Sequence, residues 1–209
     1  MLAACESSGR VRDAFAARGW DAWSCDLEPS ETPGQHILGD VLTVFNWECH
    51  WDLIIAFPPC TDLSLAGARF WKQKQADGRQ QRAAEFFMEM TEAPAPFVAV
   101  ENPRGIMTKL HRPPDQIVEP WWFGEPYAKK TCLWTYHLPE LVADNPVEPA
   151  GRVATGGGSW KVDKSAGRSL MSAYEDSEGR KNRAKVRSRT FPGVARAMAD
   201  QWGSYLEAK

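Results

Sequence analysis

Short apolar runs alternate with helical patterns along most of this chain. The apolar runs have the length of buried strands, and they fall at residues 2–5, 22–25, 53–57, 97–100 and 131–136. Between them, residues 9–18 and 80–90 repeat apolar side chains at helical spacing, and Ser7 or Ser8 is the expected N-cap of the first helix. This alternation predicts an α/β fold, with a mostly parallel sheet and helices on both of its faces.

The pattern changes near residue 148. From there to residue 188 the periodicity fades, and the glycines at 156–158 predict loops. A last amphipathic helix follows, with apolar positions at Val194, Ala197, Met198, Trp202 and Leu206. We therefore predict three parts, namely a core at residues 1–147, a small basic segment at 148–189 and a C-terminal helix at 190–209 that packs back on the core.

Composition excludes several classes of protein. The 209 residues are 43% hydrophobic and 25% charged, which is typical of one compact soluble domain with a small appendage. The longest apolar run, residues 53–57, is far too short for a bilayer span, and the first nine residues lack the layout of a signal peptide. The five cysteines include no Cys-x-x-Cys pair, which argues against a disulfide scaffold or a zinc site and favours a reducing cytoplasm.

The net charge of −2 conceals an uneven distribution of charge along the chain. Residues 1–60 carry three basic and nine acidic side chains, whereas residues 151–196 carry eleven basic and four acidic ones. Six of those basic side chains fall within residues 180–189. Such a cluster suits a polyanionic phosphate partner, and it is equally compatible with a solvated surface.

Polar residues follow the predicted strands, where a parallel sheet binds its ligands. The first strand leads into a turn of small residues at 6–9. Asp26 follows the second strand, about 20 residues beyond that glycine-bearing turn, which is typical of a carboxylate that holds the ribose of a nucleotide-type cofactor. Asp40 follows Gly39 and suits either an adenine amino group or the cap of a turn. These residues predict a pocket for a nucleotide-like cofactor.

A cysteine and a glutamate follow two further strands. Cys60 comes after Pro58 and Pro59, whose rings end the strand and hold the thiol at the sheet edge, which favours a nucleophile over an inert core cysteine. Glu101 ends an apolar strand, so partial burial should raise its pKa and let it donate a proton; the alternative is a structural hydrogen bond to the turn at 58–60. Together they suit addition of a thiol to C6 of a pyrimidine and methyl transfer to C5.

In their order, these motifs resemble those of the DNA (cytosine-5)-methyltransferases, specifically of the short, mostly phage- or prophage-borne branch. Residues 56–64 with Gly67 resemble the nucleophile motif Phe-Pro-Cys-x-x-Phe-Ser…Gly, and residues 101–103 resemble Glu-Asn-Val. Residues 123–130 resemble Gly-x-Pro-Gln-x-Arg-x-Arg, and residues 191–195 resemble the closing motif that packs onto the cofactor site. The resemblance spans nearly the whole chain and implies a class I, Rossmann-like, S-adenosylmethionine-dependent methyltransferase.

The resemblance also implies roles for the matching residues. S-adenosylmethionine would be bound by Cys5, Glu6, Ser8, Gly9, Asp26, Leu27, Asp40, Val41, Phe57 and Pro58. Catalysis would fall to Cys60, Glu101, Lys129 and Lys130. DNA would be contacted by Ser64, Arg180, Lys181, Arg183, Lys185, Arg187 and Arg189. The implied reaction flips a cytosine out of DNA, adds the Cys60 thiolate to C6 while protonated Glu101 bonds N3 and the exocyclic amine, and transfers a methyl group to C5.

Two motifs depart from the family pattern. Residues 4–9 replace the opening Phe-x-Gly-x-Gly, so the methionine pocket is not the standard one. Lys129 stands at the first arginine of the Arg-x-Arg segment, and Thr131, with Lys130 beside it, stands at the second. A lysine supplies positive charge to the base but lacks the planar fork of arginine.

The chain also has no room for a full DNA-recognition domain, because only 52 residues separate Trp134 from Arg187. The basic stretch would then bind mainly phosphates, and we expect a short or relaxed sequence preference. Two alternatives stay open. One is a pyrimidine C5-modifying enzyme that acts on single-stranded DNA or nucleotides, or that uses a modified sulfonium donor. The other is a non-catalytic DNA-binding protection protein. We expect a monomer in the cytoplasm of a bacterial host, encoded by a phage or prophage, without a metal or a membrane partner.

Overall fold

A seven-stranded sheet forms the centre of the computed structural model, which describes residues 1–47, 50–149, 152–155, 159–162 and 188–209. In chain order its strands are β1 (Leu2–Ala4), β2 (Trp23–Asp26), β3 (His36–Leu38), β4 (Leu53–Ala56), β5 (Phe97–Pro103), β6 (Gln116–Val118) and β7 (Thr131–Tyr136). They lie in the order β3-β2-β1-β4-β5-β7-β6. The first five are parallel, and β7 runs antiparallel to β5 and β6. The order 3-2-1-4-5 is that of a doubly wound, Rossmann-like sheet.

Helices cover both faces of this sheet. They are α1 (Arg10–Ala16), α2 (Val41–Phe45), α3 (Trp71–Ala76), α4 (Arg79–Thr91), α5 (Met107–Leu110), α6 (Pro192–Ala197) and α7 (Gly203–Glu207). Two 3₁₀ helices span Leu65–Phe70 and Pro120–Trp122, and a π-helix at Met198–Trp202 joins α6 to α7. Helices α1 and α6 pack on one face, and α2 and α4 pack on the other. The predicted α/β fold, a mostly parallel sheet with helices on both faces, is confirmed.

The central strands are apolar throughout because each of their faces lies in a hydrophobic core. In β4, Leu53 and Ile55 belong to the core under α1 and α6, whereas Ile54 and Ala56 belong to the core under α2 and α4. All four side chains are fully buried. A strand buried on both faces has no position for a polar residue, which explains the continuous apolar run in the sequence.

The C-terminal helical segment packs on α1 and on the loop after β7. Val194, Ala197, Met198 and Trp202 are buried, as the amphipathic pattern predicts. The Nε1 of Trp202 donates to the carbonyl oxygen of Pro139 at 2.9 Å, which satisfies the one polar atom of a fully buried indole. No helix within the described ranges is long and apolar enough to cross a membrane.

Three local features differ from the sequence prediction. The N-cap of α1 is Gly9, at φ 74°, rather than Ser7 or Ser8, because the chain enters the helix through a left-handed conformation that suits glycine. Strands β3 and β6 were not predicted, since each has three residues at the outer part of the sheet and lacks a buried apolar run. The predicted loop after residue 148 contains an antiparallel pair, β8 (Arg152–Thr155) and β9 (Ser159–Val162).

Candidate functional site

The carboxyl ends of β1, β2, β4 and β5 meet at one edge of the sheet and bring the predicted site residues together. The amide of Glu6, just beyond β1, donates to the carbonyl oxygen of Cys25 in β2 at 3.0 Å. The amide of Phe57, just beyond β4, donates to Ala4 in β1 at 2.9 Å. The turns that follow these strands are therefore joined by main-chain hydrogen bonds.

A pocket opens at this edge, and half of the predicted cofactor residues line it. Cys5, Glu6, Ser8, Asp26 and Phe57 are among its walls. The remaining walls are Ser7, Glu31, Ser188, Arg189 and Thr190. The other predicted cofactor residues, which do not line this pocket, are Gly9, Leu27, Asp40, Val41 and Pro58.

Glu6 is the deepest charged group of the pocket. Its side chain is 5% exposed, and its Oε1 accepts hydrogen bonds from the hydroxyl of Ser8 and, at 3.4 Å, from the amide of Val11. Its Oε2 is buried and has no hydrogen-bond partner in the described part of the chain. Burial raises the pKa of Glu6, and the bonds from Ser8 and the main chain oppose that rise.

The two carboxylates that follow β2 and β3 are engaged differently from Glu6. Asp26 lines the pocket, and its Oδ1 accepts a hydrogen bond from the amide of Glu28 at 2.9 Å. Asp40 is the N-cap of α2, where its Oδ1 accepts from the amide of Leu42 at 3.0 Å. Leu27 follows β2 and is 77% exposed, and Leu38 ends β3 and is 63% exposed. Exposed leucines beside Asp26, as neighbour in sequence and as register partner, suit an apolar, flat ligand group.

A buried arginine supports the loop that forms one wall of the pocket through Glu31. Arg12 is 1% exposed, and its guanidinium donates to the side chains of Ser24, Ser30 and Thr32 at 3.2, 2.9 and 2.6 Å. These bonds hold the loop between β2 and β3 against α1. A Cβ on Gly34 would lie 2.6 Å from the Arg12 Cζ, so the loop also needs a glycine where it passes the guanidinium.

An ion pair ties residues 188–190 to this wall. The Nε of Arg189 lies 2.8 Å from Oε2 of Glu31, and the Glu31 amide donates to the carbonyl oxygen of Ser7 at 2.8 Å. Arg10 donates to the carbonyl oxygen of Thr190 at 2.8 Å. Arg189, predicted to contact DNA, therefore lies at the pocket with an acidic partner. The other predicted phosphate contacts, Arg180, Lys181, Arg183, Lys185 and Arg187, lie outside the described residues.

The turn that carries Cys60 is bonded to β5. The β4–β5 register pairs Ala56 with Val100, so the residues that follow β4 run alongside Glu101 and Asn102. Asn102 is 1% exposed, and its Nδ2 donates to the carbonyl oxygen of Pro58 at 2.9 Å. From the sequence, Glu101 is the alternative source of such a structural bond to this turn. In the structure the bond comes from the next residue, Asn102.

The segment after Cys60 is fixed from two sides. On one side, the amide of Leu65 donates to Arg104 at 2.9 Å, and Ser64 forms a bridge with Gly105, where a Cβ would lie 2.1 Å from the Leu63 carbonyl oxygen. Ser64, a predicted DNA contact, is thus 8% exposed and next to the cysteine turn. On the other side, buried Lys74 donates to the carbonyl oxygen of Thr61 at 2.5 Å and pairs with Asp62 at 3.1 Å.

Glu101 lies beside Lys129, in the loop before β7, and Thr131, the first residue of β7. Burial raises the pKa of Glu101, and the charge of Lys129 and a hydrogen bond from Thr131 oppose that rise. The Nζ of Lys129 lies over the ring of Phe191, 5.6 Å from its centroid. Lys130 is exposed and has no such contact to Glu101 among the described residues. Lys129 and Thr131 are the family-motif positions that the structure brings to the carboxyl.

A second glutamate joins this loop to the C-terminal helix. Oε1 of Glu125 accepts a hydrogen bond from the amide of Gly193 at 2.5 Å, and burial raises the pKa of this carboxyl. A Cβ on Gly193 would lie 2.1 Å from the carbonyl oxygen of Phe123. The close approach places Phe191 next to Lys129, so the last segment of the chain helps to shape the Glu101 site.

Sequence reasoning missed four residues that organise this edge: Asn102 had no assigned role, and Arg12, Glu31 and Lys74 were not singled out. The bond between Asn102 and Pro58 joins positions 44 residues apart. The one signal in the sequence was a set of charged residues within stretches predicted to be turns or helix surfaces, which is also typical of solvated side chains.

Comparison with known proteins gives a distant likeness in structure only. No protein-family model and no curated protein matches the chain. The chain is similar to a solved structure from E. coli described as a "putative DNA modification methyltransferase encoded within prophage", with 18% sequence identity, a TM-score of 0.42 and a match over 64% of this chain. The matched region spans 45% of the length of that protein. A likeness of this extent assigns no activity to the chain.

Proposed function

We propose that this chain is a DNA (cytosine-5)-methyltransferase that uses S-adenosylmethionine and has a short or relaxed sequence preference. One observation carries the proposal. Cys60 lies on a turn that Asn102 bonds to β5, and the residue before Asn102 in the same strand is Glu101, a carboxyl whose pKa is raised by burial. A nucleophile and a proton donor on adjacent strand ends, next to a carboxylate-lined pocket, suit addition to a pyrimidine ring.

The pocket residues fit the chemistry of S-adenosylmethionine. Glu6, Asp26 and Glu31 give it a negative lining, which favours a ligand with cationic groups. Asp26 ends β2, where a carboxylate can accept from ribose hydroxyls, and exposed Leu27 and Leu38 suit the adenine ring. When bound there, the cofactor supplies an electrophilic methyl group for C5 of the base.

Cys60 acts as the nucleophile on the cytosine and Glu101 as the proton donor. Cys60 forms the S–C6 bond as a thiolate, and the electrons of the C5–C6 double bond shift toward C5 and the ring nitrogen N3. Protonated Glu101 donates to N3 and stabilises the charge that develops there, and the rise in its pKa on burial favours this protonated form. After methyl transfer, a base takes the C5 proton, the S–C6 bond breaks and Cys60 leaves as a thiolate.

Lys129 places a positive charge beside the Glu101 carboxyl. Its ammonium interacts with Glu101 and lies over Phe191, so one cation is held at the carboxyl. Lysine can also supply a positive charge to O2 of the base as negative charge builds on the ring. The basic residues at 180–187 would bind DNA phosphates, which gives affinity with little base specificity.

Nucleoside mass spectrometry tests this function directly. Duplex DNA is incubated with S-adenosylmethionine and wild-type protein, the Cys60→Ala variant or the Cys132→Ala variant. Cys132 is the matched control, because it is a buried core thiol whose pKa burial raises to about 11. We expect 5-methylcytosine from the wild type and from Cys132→Ala, and none from Cys60→Ala.

Other products would contradict the proposal in different ways. N4-methylcytosine or N6-methyladenine would contradict C5 chemistry, and 5-methylcytosine from Cys60→Ala would contradict the nucleophile. A product from single strands or dCMP but not from duplex would assign the same chemistry to another substrate. Binding of DNA without any modified base would favour a protection protein.

A further inference from the structure

The pocket contains one carboxylate oxygen that has no hydrogen-bond partner among the residues that the structure describes. Glu6 is 5% exposed and lines the pocket, and its Oε2 is buried without a hydrogen-bond partner. A buried acceptor without a donor costs free energy, and a charged one costs more than a neutral one. The cost is removed if a ligand brings a donor to this oxygen.

The other oxygen of Glu6 is already engaged, which fixes the direction of the carboxylate. Oε1 accepts from the Ser8 hydroxyl and from the amide of Val11. The side chain therefore cannot turn Oε1 to the ligand without giving up two donors. Oε2 is the atom left for an incoming group.

The charges around Glu6 favour a cationic donor. The other ionisable groups of the pocket wall are Asp26, the Cys5 thiol and the Glu31–Arg189 ion pair, and Arg12 lies behind the wall. Burial and the neighbouring carboxylates raise the pKa of Cys5, so this thiol stays neutral. Three carboxylates thus face one arginine, which is paired with Glu31.

We propose that Oε2 of Glu6 accepts a hydrogen bond from the α-ammonium group of the amino-acid end of the cofactor. The assignment rests on the proposed function. The sulfonium cannot take this role because it has no N–H or O–H to donate, whereas an ammonium carries three N–H donors. A charge-assisted bond is about twice as strong as a neutral one, so the protein selects a ligand with an amine at this position.

This assignment explains a departure in the sequence. Residues 4–9, which include Glu6, Ser7 and Ser8, replace the family's opening motif Phe-x-Gly-x-Gly. Here Glu6 supplies the acceptor, and Ser8 orients it. The chain therefore recognises the amino-acid end of the cofactor with a side chain of its own at the end of β1.

Isothermal titration calorimetry of two ligands on two variants tests the assignment without any turnover. The ligands are S-adenosylhomocysteine and its deamino analogue, which keeps the carboxylate, the ribose and the adenine but lacks the amine. The variants are Glu6→Gln and, as the matched control, Glu119→Gln. Glu119 is also a glutamate whose buried Oε2 has no hydrogen-bond partner among the described residues, but it lies outside the pocket.

We expect the wild type to bind S-adenosylhomocysteine about 10- to 100-fold more tightly than the deamino analogue, the range for one hydrogen bond to a charged group. In Glu6→Gln this preference disappears, since the amide places an N–H₂ group against the ammonium. In Glu119→Gln the preference stays at its wild-type value.

Two results would overturn the assignment. If the wild type shows no preference for the amine, Glu6 does not bind it, and this holds even if Glu6→Gln fails to fold. If folded Glu6→Gln keeps the full preference, another group holds the amine, and the proposed function stands. Binding of neither ligand by the wild type would instead overturn the cofactor pocket itself, and this assignment with it.

Discussion

Replacing Asn102 with alanine is predicted to loosen the turn that carries the nucleophile. The Asn102 side chain is 1% exposed, and its Nδ2 lies 2.9 Å from the Pro58 carbonyl oxygen, two residues before Cys60. The neighbours of this carbonyl along the chain are Phe57 and Pro59, which continue the strand end. Pro59 has no N–H that could donate to it in place of Asn102. The variant therefore leaves a buried carbonyl without its donor.

The magnitude follows from this contact. An acceptor left unsatisfied in the interior costs about 1–3 kcal/mol of stability. The freed turn also lets Cys60 move relative to Glu101, and a misplacement of about 1 Å costs roughly 100-fold in rate. We expect the free energy of unfolding to fall by about 2 kcal/mol and the single-turnover methylation rate to fall by roughly 10- to 100-fold, with unchanged affinity for S-adenosylhomocysteine.

Gln116→Ala provides the matched control. Gln116 in β6 also donates its side-chain amide to a main-chain carbonyl, that of Leu141 at 2.7 Å, far along the sheet from Cys60. Urea unfolding and single-turnover assays should show a comparable loss of stability in both variants but a loss of rate only in Asn102→Ala. Equal rates in the two variants would show that Asn102 stabilises the fold without positioning the nucleophile, and would refute this reasoning.

Three further predictions concern the Glu101 site and the pocket wall. Burial raises the pKa of Glu101 above 4.5. The single-turnover rate should therefore decline as the pH rises through the folded-state pKa, and so should the contribution of Glu101 to the free energy of unfolding. Glu101→Gln should remove that decline and lower the rate by about 10²- to 10⁴-fold; an unchanged pH profile would exclude Glu101 as the acid. Arg189→Ala should lower affinity for S-adenosylhomocysteine by about tenfold. It should leave the slope of log K for DNA binding against log salt concentration unchanged, because Arg189 pairs with Glu31. A slope reduced by about one would show that Arg189 contacts a DNA phosphate instead. Gly193→Ala should lower the melting temperature, since its Cβ would lie 2.1 Å from the Phe123 carbonyl oxygen, and an unchanged value in differential scanning calorimetry would contradict the tight packing.

The sheet was predictable where burial leaves a mark on the sequence. Leu53–Ala56 is apolar at every position because both faces of β4 lie in a core, and such a run has few interpretations. The edge strand β3 leaves no such mark, because His36–Leu38 has no buried residue. The strands on either side of residues 156–158 were missed for a related reason: Arg152–Thr155 has neither a continuous apolar run nor strict alternation, and Ser159–Val162 alternates over only four residues.

The candidate site was predictable only as far as strand ends determine it. Cys60, Glu101, Asp26 and Glu6 follow or end central strands, so the topology alone places them at one edge. The contacts that fix them are long-range: Asn102 reaches Pro58, and Arg189 reaches Glu31 across most of the chain. Local patterns carry no information about such pairs.

Trapping the covalent intermediate tests the central claim most directly. Duplex DNA with 5-fluorocytosine at target sites is incubated with the protein and S-adenosylmethionine. Fluorine at C5 cannot leave as a proton, so the S–C6 bond should persist after methyl transfer. We predict a stable protein–DNA adduct that peptide mass spectrometry assigns to Cys60 and that is absent from Cys60→Ala. An adduct at another cysteine, or 5-methylcytosine formed on normal DNA with no adduct on the fluorinated DNA, would contradict the account.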